Sequence, residues 1–354
     1  MHRSLMAAAG LALVGTTLAV TPAVAADTAG DPPTVLARGQ AGPLSLDVSP
    51  RGTVWYSQNF AGMLMRILPG GEPRMVARTV RGKELGAVSV SKGVVTFATT
   101  SPDGRTRLVE RRRNGSIHQV ANLSRFERRH NPDADAEYGI PDLDPSCVDE
   151  WPVQQAGPPS YTGIVESHPY ASVTMRGVRY VADAAGNSIV RVRRNGTVSA
   201  AAVLPPQPVE ITAEGAEASG LPECAVGHTY SFEPVPTDVE RSGHGTLYVT
   251  LLPGGPEDPS LGARASVLRV DPSDGSSEVV ADGLLSATGL AVARNGDIYV
   301  AELFGNRIRR IPAGEDHAVR WRTSTLPGDV EFADGRVWAT RKVLINGQVV
   351  RFPR

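Results

Sequence analysis

One phrase returns six times along the chain: a turn glycine, then a short alternating strand with an aromatic or branched centre. The instances are GTVWYS from Gly52, GVVTFAT from Gly93, GVRYVAD from Gly177, GTLYVTL from Gly245, GDIYVAE from Gly296 and GRVWATR from Gly335. Successive glycines stand 41, 84, 68, 51 and 39 residues apart. A repeat near 40 residues that carries four short strands is the signature of a propeller blade. Three gaps exceed 41, by 43, 27 and 10; six units and these excesses cover 326 residues of the 354-residue chain. The expected fold is all-β, a six-bladed propeller of four-stranded antiparallel blades.

A second repetition supports this. RRNGSIHQVANLS from Arg112 and RRNGTVSAAAVLP from Arg193 lie 81 residues apart. Asn-Gly between alternating runs marks a tight hairpin, and a type I′ turn needs positive φ at both central residues. Each phrase reads as the outer hairpin of a blade, so Asn-Gly here is turn chemistry and not a site. At the chain ends, the last blade shows three strands and stops. PTVLARGQ (Pro33–Gln40) resembles a lone outer strand. The N-terminal strand therefore completes the last blade, which closes the ring and removes an exposed edge.

The N-terminus has a short basic start, an apolar run from Leu5 to Val20 and small residues at Ala23, Val24 and Ala25. This is the pattern of a secretory signal peptide over residues 1–25, with no lipoprotein cysteine and no stop-transfer segment. The expectation is a secreted, extracellular protein with residues 26–354 as a single propeller domain. The total of 36 basic and 37 acidic side chains excludes the basic footprint of a nucleic-acid binder. No membrane insertion is expected, and the protein is read as a monomer.

Three insertions interrupt the repeat, at about 125–165, 205–233 and 251–264. In an up-and-down blade all three fall on one face, around blades three and four, where long loops on a rigid frame favour binding. Cys147 and Cys224, the two cysteines, lie in the first and second insertions. In an exported chain they read as a disulfide.

The phrases VESHPYASV, YVADAAGNSIVRV, AVLPPQPVEIT, YSFEPVPTDVE, LPGGPEDPSLGARASVLRVDP and GLAVARNGDIYVAELFGNRI resemble the ScyD/ScyE family, a group of exported bacterial β-propeller proteins. The resemblance spans the whole mature chain, insertions included. It implies a six-bladed propeller related to NHL-repeat and gluconolactonase-like proteins. It implies no assigned reaction.

Aligned on the turn glycines, the channel mouth should hold Ser45, Glu166, His168, Tyr170, Asp238, Thr288 and Asp329. Glu257 and Asp258 sit in the third insertion, and His228 in the second. Tyr170, Asp238, Asp329, Glu257 and Asp258 are the binding candidates. Glu166, Asp238 and Asp329 could hold Ca²⁺ through oxygen ligands, with Glu166 or His168 as a base activating water. Asp183 and Glu302, each ahead of a tight Gly-Asn loop, read better as carboxylates holding nearby backbone N–H groups. Tyr161, Tyr170, Tyr230, Phe232 and Phe304 could instead form an aromatic patch. Two functions follow: a binding protein that takes a small molecule, glycan or protein ligand on the loop face, or a calcium-assisted lactonase or other hydrolase at the channel mouth.

Overall fold

The computed structural model describes residues 31–354 other than Arg81 and Asp258, so the proposed leader lies outside the described residues. Six four-stranded antiparallel sheets follow one another along the chain. The innermost strands of blades one to six are Leu46–Val48, Glu84–Ser91, Pro169–Met175, Pro236–Arg241, Ala287–Val292 and Val330–Ala333. Each touches the innermost strand of the next, and the sixth touches the first. The strand Thr34–Gln40 pairs antiparallel with Gly347–Arg351, so the N-terminal strand completes the last blade as the sequence predicts.

Alternation explains how the ring holds together. Successive side chains of a strand point to opposite faces, and here each face meets a neighbouring blade. Trp55 packs into the cluster between blades one and two. The adjacent Tyr56 packs into the cluster between blades six and one. Four further apolar clusters fill the remaining junctions. Both parities of the inner strands are therefore apolar.

The Asn-Gly turns differ from the expected type I′. Gly115 has φ of +87°, but Asn114 is not in the positive-φ region. Gly115 N–H donates to Arg112 C=O at 2.9 Å, and Arg112 N–H to Ser116 C=O at 2.9 Å. This is a turn followed by a glycine bulge, which adds strand twist. Asn is used for its side chain: Asn114 Oδ1 accepts from Ser116 N–H at 3.0 Å, and Asn195 Oδ1 from Thr197 N–H at 3.1 Å.

The first two insertions are more than loops. Strands Glu137–Gly139, Ser160–Thr162, Gln207–Glu210 and Thr229–Phe232 form a seventh four-stranded sheet, joined where Gly139 pairs with Ser231. This cap has its own core, in which Ile140, Trp151, Ile211, Ala225, Phe232 and Leu261 are buried together. Leu261 comes from the third insertion. Cys147 and Cys224 form the predicted disulfide, with Cα atoms 5.8 Å apart, which runs from Cys147, buried in that core, to Cys224 at its exposed edge. Among the described residues no helix is long and apolar enough to cross a membrane.

Candidate functional site

Under the cap, above blades three and four, lies a cleft of about 360 Å³. All three insertions line it. Tyr161, Tyr230 and Phe232 supply aromatic walls, Glu166 and Glu233 the ionisable groups, and no Lys, Arg or His is among its described lining. Tyr161 Oη donates to Glu233 Oε1 at 3.0 Å. Phe232 is clamped between the Arg264 guanidinium, 4.6 Å from the ring centroid, and Gly255. Arg264 also donates to Gly254 C=O at 2.9 Å, which ties the third insertion to this wall.

Burial shapes the cleft's charge. It raises the Glu233 carboxyl above its ordinary value, with Asp133 and Glu166 adding to the effect against hydrogen bonds that lower it. Burial raises Glu166 as well, opposed by the charge of His168. The Tyr230 phenol is pushed up to about 12 by burial and by Glu233. The cleft thus presents π-faces and acidic oxygens with little solvation of their own.

Beside it, at the channel mouth, His168 Nε2 stands 2.9 Å from Glu84 Oε2. Glu84 Oε1 accepts from Asn59 Nδ2 at 2.9 Å, and Asn59 Oδ1 accepts from the Ser57 hydroxyl. The His168 ring stacks on Tyr170 with centroids 5.2 Å apart. For His168, burial alone would lower the pKa, but the bond to Glu84 and the surrounding carboxylates raise it. For Glu84, burial alone would raise it, but His168 and Asn59 bring it below the ordinary value. Both partners are thereby biased toward an ion pair.

Deeper in the channel, carboxylates hold neighbouring blades together. Asp238 accepts Leu290 N–H at 2.6 Å and its neighbour Val239 N–H at 2.7 Å. Asp329 accepts Leu46 N–H at 2.6 Å and Val330 N–H at 2.8 Å. Asp47 accepts Val90 N–H. Burial is the largest cause that pushes Asp47 and Asp238 up to about 7. Burial and mutual repulsion hold Glu240, Asp329 and Glu331 well above the carboxylate range.

The structure thus separates the sequence candidates. Glu166 lines the cleft, His168 and Tyr170 sit at the mouth, and Asp238 and Asp329 are spent on backbone N–H groups. Among the described residues, one set of three metal-binding side chains brings its ligand atoms within 4.8 Å: Glu315, Asp316 and His317, on an exposed turn of blade five. Glu166, Asp238 and Asp329 do not converge in this way. Glu257 is raised by burial and faces the charge of Arg264, while Asp258 lies outside the described residues. Of the aromatic patch, Tyr161, Tyr230 and Phe232 meet in the cleft, whereas Tyr170 and Phe304 are not among its lining. Asp183 takes His168 N–H and the Ser167 hydroxyl, both at 2.6 Å, and Glu302 takes Leu285 N–H at 2.9 Å. Asp183 behaves as the backbone-holding carboxylate that the sequence predicts, whereas Glu302 adds to its backbone bond an ion pair with Arg307.

Sequence reasoning missed Glu84, Glu233, Asp47, Glu240 and Glu331. A signal existed for Glu240 and Glu331: blades four and six share Asp-Val-Glu, in PTDVE and PGDVE.

No protein-family model matches the chain, and no curated protein does. Solved structures do. Virginiamycin B lyase from Staphylococcus aureus is 14% identical with a TM-score of 0.52, covering 91% of this chain and 99% of its own. A putative oxidoreductase (glucose dehydrogenase) from Thermus thermophilus is 15% identical with a TM-score of 0.56, covering 91% and 100%. Regucalcin, a calcium-binding protein from Agrobacterium tumefaciens, is 14% identical with a TM-score of 0.50, covering 90% and 94%. At such identities the likeness is one of fold, and these β-propellers carry different activities.

Proposed function

We propose that the protein is an exported monomeric scaffold of the ScyD/ScyE type that binds a small ring-bearing molecule, neutral or cationic, in the cleft beneath the cap. The observation that carries this reading is the make-up of the cleft: three aromatic side chains, two half-buried carboxyls and no cationic side chain among its described lining. A cavity near 360 Å³ is at the small end of ligand pockets. Aromatic walls favour a flat or cationic group, and the carboxyls favour hydrogen-bond donors. The same carboxyls disfavour a carboxylate or phosphate ligand.

The test is a thermal-shift and calorimetric screen of the mature protein with matched aromatic amines, neutral sugars and aromatic carboxylates. The amine or neutral class should bind, and Phe232→Ala should weaken it at least about tenfold, the scale of a lost aromatic anchor. Selective binding of the carboxylates would overturn the assignment.

A second reading, a calcium-assisted lactonase or hydrolase at the channel mouth, is supported by the His168–Glu84 pair, two partly exposed titratable groups 2.9 Å apart. It requires lactone or ester turnover that falls on chelation and in His168→Ala. The binding reading expects no turnover in the same assay.

A further inference from the structure

Four buried side-chain carboxylate or amide oxygens among the described residues have no hydrogen-bond partner, and all four fall in one seven-residue stretch. They are Glu127 Oε1 and Oε2, Asn131 Oδ1 and Asp133 Oδ1. Glu127 and Asp133 are each 1% exposed. The stretch is the end of the helix Leu123–His130 and the turn that leads into the cap. It lies between blades two and three in the chain, outside the Asp-Val-Glu strands of blades four and six.

Unpaired buried acceptors of this kind cost several kcal/mol in general, and ionised ones more. Their surroundings add to the cost. Asp183, itself 1% exposed, stands beside Glu127. A Cβ placed on Gly186 would lie 3.3 Å from Glu127 Oε2, 3.4 Å from the Glu166 carbonyl oxygen and 3.5 Å from Asp183 Cγ. Three oxygen-bearing groups therefore gather around one residue that has no side chain to fill the space. Asp133 is a second neighbouring charge of Glu127, its Oδ2 held by Tyr138 Oη at 3.1 Å and Asn187 Nδ2 at 3.0 Å. Those bonds leave Oδ1 without a partner.

We infer that Glu127 and Asp133, through their unpartnered oxygens, with Asp183, through the remaining lone pairs of its hydrogen-bonded oxygens, and the Glu166 carbonyl, form a buried site for a divalent cation, calcium by its all-oxygen donors, which fastens the base of the cap to blade three. Hard oxygen donors that include carboxylates and a backbone carbonyl suit Ca²⁺. The carboxylates are not within 4.8 Å of one another as a set, so coordination at 2.3–2.6 Å requires their side chains to turn inward. The inference does not depend on the ligand of the cleft or on activity at the channel mouth.

The experiment is calcium titration, by calorimetry and thermal melting, of the full mature protein stripped with EDTA. About one calcium per chain should bind, and the melting temperature should rise. Glu127→Gln and Asp133→Asn should each weaken binding at least tenfold. Metal-free Glu127→Gln should melt no lower than metal-free wild type, because it removes a repelled charge while keeping the shape, so a folded variant remains for comparison. Glu331→Gln, in the channel, should leave calcium affinity within twofold. Absence of calcium binding, or binding that survives in Glu127→Gln and Asp133→Asn, would overturn the inference. Loss in Glu331→Gln alone would overturn it too, placing the ion in the channel.

Discussion

Asp329 Oδ2 accepts a 2.6 Å hydrogen bond from Leu46 N–H across 283 residues of chain, joining the first inner strand to the last. Its other oxygen accepts Val330 N–H at 2.8 Å. The link sits where the ring closes, beside the pairing of the N-terminal strand with the C-terminal one. An Asn side chain offers one acceptor oxygen, so Asp329→Asn leaves one buried N–H facing an amide NH₂. The expected cost is about 1–3 kcal/mol, the scale of one unsatisfied buried donor. Denaturant unfolding measures it. Asp334→Asn, in an exposed turn, should stay within about 0.5 kcal/mol. Equal effects for the two would remove the closure role assigned to Asp329.

The channel carboxylates predict how stability depends on pH. Asp47 and Asp238 are pushed up to about 7, with burial as the largest cause. Between the unfolded value of about 4 and that folded value, the native state binds more protons than the unfolded chain, so stability falls as pH rises. Glu84 acts in the opposite sense: its lowered pKa stabilises above the ordinary carboxylate range and is lost as pH falls through the folded value. His168, raised, stabilises below about 6.5 and loses that as pH climbs through its folded pKa. Melts in EDTA should therefore peak at mildly acidic pH and decline toward about pH 8. Glu331→Gln removes one of the crowded acids and should flatten the alkaline limb. A melting temperature that rises from about pH 6 to 8 would contradict this account.

The ring could be read from the sequence because each blade carries its own alternation and its own turn. Even the closing strand announced itself, as a lone outer strand ahead of blade one. The cap could not be read in the same way. Its strands are three or four residues long, come from two insertions, and become a sheet only where Gly139 meets Ser231. Neither insertion carries a period of its own. The site was half visible. Glu166 and His168 stood out in ESHPY, but the partner of His168 is Glu84, in blade two, where a register shift between Gly86 and Ser89 defeats alignment on the turn glycine. Asp238 and Asp329 were visible as acids near the channel. Which acids hold backbone and which face open space depends on neighbouring strands, and no single strand records that.

Gly255 shapes the cleft from the third insertion. Its φ is +83°, and a Cβ there would stand 2.5 Å from the Phe232 ring. Both facts oppose a side chain: the backbone conformation is costly for L-residues, and the ring is held by Arg264. Gly255→Ala should cost about 1–3 kcal/mol and displace Phe232. The readout is loss of cleft binding out of proportion to the drop in melting temperature. Gly262, also at positive φ but with open space around it, gives the comparison, since its substitution carries the backbone strain without the collision.

The disulfide predicts a separable cap. Cys147 and Cys224 both lie in the insertions, 77 residues apart in sequence, and Cys147 is buried in the cap's own core. The chain-entropy model assigns a loop of that size roughly 4–5 kcal/mol. The loop it closes contains all of blade three, yet the covalent link is made inside the cap, and the blades keep their own clusters and hydrogen-bonded ladders. Reduction, or Cys147→Ser with Cys224→Ser, should therefore loosen the cap first. Amide exchange should accelerate in 137–162 and 207–232 while the central strands of the blades stay protected. Binding in the cleft should fall with it, because Tyr161, Tyr230 and Phe232 are carried by the cap strands. Uniform acceleration across all six blades would mean that cap and ring unfold as one unit, and the cleft would then be no more labile than the ring that supports it.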